Sequence, residues 1–218
     1  MPTPMNAPSP VGSHHSHHPT APSPLLPPHE AAAYGPFPSP PPHTAAELDA
    51  LISLLTATPH TSTPTPHRST PPAPATVTVG HSRDAASHSA AAAFTEAWRT
   101  TGRTVLALVD WPEQAASWLR PAHRFTAGQP DAWVVAAAPL GWVRMSRRLH
   151  HSTDWDPART FGFASLGDSR LAALAGTATL EGMRGATADG GTWAIARGWV
   201  TATTRHETPP VHEAPPRK

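Results

Sequence analysis

Twenty of the chain's 29 prolines fall between Met1 and Ala75. Proline has no backbone N–H and a fixed φ, which keeps it out of helix interiors and central strands. A stretch this dense in Pro, with His, Thr and Ser between, buries too little apolar surface to offset chain entropy. The expectation is a long disordered Pro/His/Thr-rich segment over 1–75, an α/β domain over 76–205 and a disordered C-terminal tail over 206–218. A piece of about 130 residues is large enough for one hydrophobic core.

Charge and composition exclude several classes. The formal net charge is +1, and residues 76–205 carry 13 Arg against 10 Asp and Glu. No concentrated basic face follows, so no nucleic-acid partner is expected. Cysteine is absent, which removes disulfides, thiolate zinc sites and cysteine nucleophiles. No run approaches the ~18 apolar residues of a membrane span. Met1–Thr20 lacks the basic and apolar regions of a secretory signal, and the default compartment is therefore the cytoplasm. No cofactor is expected.

Two features interrupt the Pro-rich segment. His14-His15-Ser16-His17-His18 could gather a transition metal, but a solvated low-complexity tract has the same composition. Thr44-Ala45-Ala46-Glu47 has the form of a capping box. Leu48, Leu51, Ile52 and Leu55 follow on one helical face, and Pro59 ends the pattern. A helix over about residues 45–57 this short is marginal alone. Its stripe needs a partner, either the chain's own core or a groove on another protein.

Beyond Ala75 the pattern alternates. Short apolar or β-branched runs at Thr76–Gly80, Val105–Val109, Trp133–Ala137 and Thr160–Ala164 read as strands. Helical patterns separate them at Ala85–Thr100, Gln114–Thr126 and Leu140–His151, with Ser169–Ala175 after the fourth. Pro121 must kink or split the second helix. Trp193, Ile195 and Trp199 suggest one more, exposed strand. The fold class is therefore α/β: a single doubly wound, mostly parallel sheet of four to five strands. The eight tryptophans, all between Trp98 and Trp199, read mostly as core.

Sheets of this kind bind ligands outside the carboxyl ends of their strands. Ser82 and Arg83 follow the first strand, where N–H groups and a guanidinium could hold an anion; Arg83 could equally pair with Asp84. Asp110 follows the second strand, as a polar site residue or as an N-cap of the next helix. Trp111 beside it either stacks on a ligand or lids the core. The paired Asp154 and Asp156 lead into a strand and read as a turn. His150 and His151 are consecutive on a helix and cannot face one metal together. No phosphate-binding glycine loop, nucleophile elbow or H-E-x-x-H appears, so no enzyme activity is expected.

The ordered string of residues resembles a known family. Val77-Thr78-Val79-Gly80-His81, Ala93-Phe94-Thr95-Glu96-Ala97-Trp98 and Gly102-Arg103-Thr104-Val105 resemble the opening of the second lobe of type 1 periplasmic binding proteins. These are the branched-chain amino-acid type of solute receptor for ABC transporters. The resemblance continues through Trp111-Pro112, Pro130-Asp131-Ala132-Trp133-Val134-Val135 and Phe163-Ala164-Ser165-Leu166-Gly167-Asp168, ending near Ala186. It implies a non-enzymatic solute-binding lobe, an amino-acid-like small solute, and ligand contacts at Ser82, Arg83, Asp110 and the Gly167–Asp168 turn. It would also place the protein at the cell-envelope exterior. Family members have two lobes and this chain has sequence for one, so a half-site is expected, with a partner supplying the other half. The alternative is a cytoplasmic protein–protein module, with the Pro-rich segment and its helix as partner contacts.

Overall fold

The computed structural model describes residues 25–57 and 73–204. The His14–His18 cluster, most of the linker after Thr58 and the tail over 206–218 lie outside the described residues. Seven strands form one sheet: β1 (Thr76–Ser82), β2 (Thr104–Trp111), β3 (Ala132–Ala136), β4 (Thr160–Gly162), β5 (Arg184–Ala186), β6 (Thr192–Ala196) and β7 (Trp199–Thr203). Their order is β2-β1-β3-β4-β5-β6-β7. The first five run parallel, and β6 and β7 add an antiparallel hairpin. The sheet is mostly parallel, as expected, but it has seven strands rather than four to five. The surplus is β5, only three residues long, and the division of the last segment into a hairpin.

The central strands explain the layering. Every residue of β3, and every residue of β1 after Thr76, is buried. Such strands need apolar cover on both sides. On one side Val77, Val79, Ala132 and Val134 pack with Phe94 and Trp98 of α3 (Ala85–Thr100) and with Leu51 and Leu55 of α2 (Ala45–Thr56). On the other, Val109, Trp133 and Val135 meet α4 (Leu119–Thr126), α5 (Pro139–Ser152) and α6 (Ser169–Ala175). Seven of the eight tryptophans are buried here; Trp199 is the exposed one.

The helix expected near 45–57 is α2, and it packs at home, beside α3 and across β4 and β5. Its capping box is complete: Thr44 Oγ1 accepts from Glu47 N at 3.0 Å, and Thr44 N donates back to Glu47 Oε2 at 3.4 Å. A further helix, α1 (Pro28–Ala33), lies within the stretch read as polyproline. Pro28 stands in its first turn, where a missing N–H is harmless. Leu26, Ala31, Tyr34 and Phe37 pack against the core, and Glu30 pairs with Arg147 at 3.2 Å.

The helix expected over Gln114–Thr126 is shorter than its apolar pattern. It begins at Leu119, after Trp118. Pro121 thereby falls in the first turn, the one part of a helix that tolerates it. Residues 112–118 form a loop instead.

Leu51 has no exposed surface. Leu51→Ala should cost about 2–5 kcal/mol through the cavity it leaves. Ser53→Ala, on the exposed side of the same helix, should stay within about 0.5 kcal/mol. Urea unfolding of the two variants measures the difference; equal effects would mean α2 contributes no core.

Candidate functional site

The chain passes from β1 outward to β2 and returns to β3 on β1's other side. The strand order therefore reverses between β1 and β3, and the crevice outside their carboxyl ends is the position where such sheets take ligands. Ser82 ends β1 and is fully buried. Its hydroxyl oxygen accepts from Ala138 N at 2.7 Å, which ties β1 to the loop leading into α5.

Glu113 is the group that the sequence pattern does not reveal. α5 has no capping side chain of its own. The half-buried Glu113 carboxylate reaches into its first turn, against Gly141. A Cβ on residue 141 would collide with Glu113 Oε1, so only glycine admits the carboxylate. Burial raises the Glu113 pKa above its ordinary value, against the lowering effect of the nearby Ser82 hydroxyl and Gly141 N–H. Arg144 fixes the same loop by donating to the Glu113 carbonyl, its guanidinium 5.7 Å from the Trp118 ring. Nothing in the local pattern marks Glu113, because its partners lie on β1 and α5.

Arg83 and Asp110 meet at the carboxyl ends of β1 and β2, on the other side of β1 from this crevice, with Nε 2.6 Å from Oδ2. Asp110 belongs to β2 and stands opposite His81 of β1, so the N-cap alternative fails. The strand runs on to Trp111, and the next helix starts at Leu119. The Arg83 guanidinium holds Asp110 below the usual carboxylate pKa. Asp84 does not pair with Arg83; it caps α3, accepting from Ser87 N at 2.8 Å. The side chains of Arg83 and Asp110 are 63% and 39% exposed, so the pair is within reach of a ligand.

The remaining expected site residues are placed differently. Trp111 has no exposed surface and packs its ring against Phe125 and Trp142 at centroid distances of 6.0 Å. It supports the site from beneath. Gly167 and Asp168 follow β4, two strands from β1, a separation of about 10 Å. Asp168 caps α6 and pairs with Arg170 at 2.7 Å. Burial opposes the ionisation of Asp168, but the bonds from Arg170 outweigh it and lower the pKa. The structure thus brings Ser82, Arg83 and Asp110 together and leaves Gly167 and Asp168 apart. Among the described residues no group of three or more His, Asp and Glu side chains is placed to hold a metal.

Two titrations follow from this geometry. Glu113, with a raised pKa, stabilises fully below about 4.5, and that contribution falls as pH rises through the shifted value. Glu113→Gln should flatten this part of the stability–pH profile, read by urea unfolding across the acid-to-neutral range. Asp110 runs the other way: its contribution exists above its ordinary pKa of 3.8 and is lost on acidification. Arg83→Ala should return the Asp110 pKa upward in an NMR titration, while costing under about 1 kcal/mol because the pair is exposed.

No protein-family model and no curated protein matches the chain. Among solved structures, a substrate-binding periplasmic protein from Ralstonia solanacearum aligns with a TM-score of 0.53 and 16% identity, over 70% of this chain and 38% of that one. An extracellular ligand-binding receptor from Rhodopseudomonas palustris aligns at 0.46, with 18% identity, 52% of this chain and 30% of that one. An ABC transporter substrate-binding protein from Sphaerobacter thermophilus aligns at 0.43, with 16% identity, 51% and 31%. The chain spans well under half the length of each. The cytoplasmic default finds no support in these likenesses, and no helix among the described residues is long and apolar enough to cross a membrane. The fold agrees with the resemblance read from the residues: over most of its length the chain folds like part of a periplasmic substrate-binding protein.

Proposed function

We propose that this chain is a non-enzymatic solute-binding module whose ligand is a small zwitterion of amino-acid type, held at a half-site outside β1 and β2. The observation that carries the reading is the Arg83–Asp110 pair. It sits at the carboxyl edge of a sheet shared in fold with a substrate-binding periplasmic protein. An amino acid presents one carboxylate and one ammonium. Arg83 offers a planar fork of donors for the first, and Asp110 is held ionised for the second. The pair is already 2.6 Å apart, so a zwitterion inserts by exchanging one pairing for two. Ser82 keeps the β1 and β3 ends in register beside it. A half-site buries little of its ligand, so a second protein surface closing over it is part of this reading.

A thermal-shift screen of the full chain against free amino acids tests the proposal. A ligand at a hundred times its Kd stabilises by about 2.7 kcal/mol, a rise of about 5–10 °C for a chain of this size. Arg83→Ala and Asp110→Asn should each abolish the shift while leaving the unliganded melting temperature nearly unchanged. A panel without a hit, or a hit indifferent to both substitutions, would sink the assignment.

A further inference from the structure

We infer that Pro36–Glu47 is a releasable strap that closes the β3–β4 half of the carboxyl edge, and that solute reaches this half only when the strap lifts. What the opened edge would bind rests on the solute reading above; the release of the strap does not.

The strap is attached at four points, one of them Thr44 Oγ1, which donates to the Ala188 carbonyl at 2.6 Å. Arg170 donates to the carbonyls of Tyr34 at 3.3 Å and Pro36 at 3.4 Å, with its guanidinium 4.7 Å from the Phe37 ring centroid. Pro40, Pro41 and His43 then cross the ends of β3 and β4, against Ala137 and Ser165. The His43 ring meets Phe163 edge-on at 6.2 Å. Glu47 completes the crossing: its carboxylate accepts from Ala164 N at 2.5 Å. The space left between strap and edge is about 20 Å3. That is room for one water, against about 300–1,000 Å3 in ligand pockets. With the strap down, no solute fits there.

The strap is also built to come away. Glu47 is the one buried residue of the strap, and none from Tyr34 to Ala46 is buried. Pro36, Pro38, Pro40, Pro41 and Pro42 have no N–H, so the strap cannot join the sheet as a strand. Both flanks stay fixed, α1 by the Glu30–Arg147 pair and α2 beyond its first turn by Leu51 and Leu55, so that lifting opens the Thr44–Glu47 capping turn. Gly35, at φ +70° with nothing within 4 Å of a Cβ position, provides a free pivot beside α1. Under the strap, His43 Nδ1 and Ser87 Oγ are buried without a hydrogen-bond partner among the described residues. Lifting rehydrates both, which offsets part of the free energy of opening. Segments held by little buried apolar surface open below the global unfolding free energy.

Amide hydrogen exchange on the full chain tests the release. Ala164 N–H reports the strap through Glu47, and Val135 N–H, in the central strand β3, reports global opening. Ala164 should exchange faster than Val135 in the native chain, and about tenfold faster again in Phe37→Ala and Arg170→Ala, with Val135 unmoved. If Phe37→Ala does not fold, Arg170→Ala makes the same test. Exchange of Ala164 in step with Val135 in all of these chains would overturn the release. Amino-acid titration of the same proteins examines access: a second binding event in the strap variants, beyond the one at Arg83–Asp110, supports a barrier over β3–β4, and the same single event in every chain refutes it. Binding absent from every one of them refutes the solute reading instead, while the exchange data still decide whether the strap lifts.

Discussion

Strands β1 and β3 bury their residues on both faces of the sheet, and neither face can cover itself. One side is closed by the three helices that follow β2, β3 and β4 in sequence. The other receives only α3 from the βα alternation, because α3 alone crosses on that side. The space beside it is filled by α2, delivered from the Pro-rich side of the chain, with Leu51 and Leu55 completely enclosed. A segment whose composition argues against a core thus supplies an integral part of one.

That requirement has a consequence at the other end of the sheet. α1 packs toward the α5 and α6 side, through Glu30 and Arg147, while α2 packs on the opposite side. The chain between them must pass around the sheet, and it passes over the carboxyl ends of β3 and β4. Cover for the core and cover for the crevice follow from the same path. The carboxyl ends of β1 and β2 lie away from this path, and there Arg83 and Asp110 are exposed beside the buried Trp111.

Much of this was legible from residues. Trp133–Ala137 is too uniformly apolar to be anything but a two-sided strand, and Thr44 with Glu47 marks the start of α2 to the residue; Val105–Val109 has the same pattern yet forms the edge strand β2, where Leu106 and Leu108 are exposed. The first four strands and the α3 and α5 helices follow from local periodicity. What was not legible depends on partners far along the chain. Asp110 looks like a cap until β2 is seen to continue past it. Glu113 is an unremarked acid in a loop until Gly141 stands in front of it. The final hairpin turns through Arg197 and Gly198, both at positive φ, and Arg at such a position gives no turn signal. α1 is invisible because six residues between prolines carry no periodic pattern.

Glu47 is bonded to Ala164, 117 residues further on, and Thr44 to the carbonyl of Ala188, 144 further on. During synthesis at about 5–20 residues per second, Glu47 precedes its partner by roughly 6–23 s. For that interval α2 has its cap but no sheet to lie on, and its leucine stripe is open to water and to other chains. The prolines ahead of it have a use at that moment. A segment with few amide donors cannot be recruited as a strand by a neighbouring nascent edge. The composition that keeps the strap out of the finished sheet thus also protects the chain while the sheet is still being made.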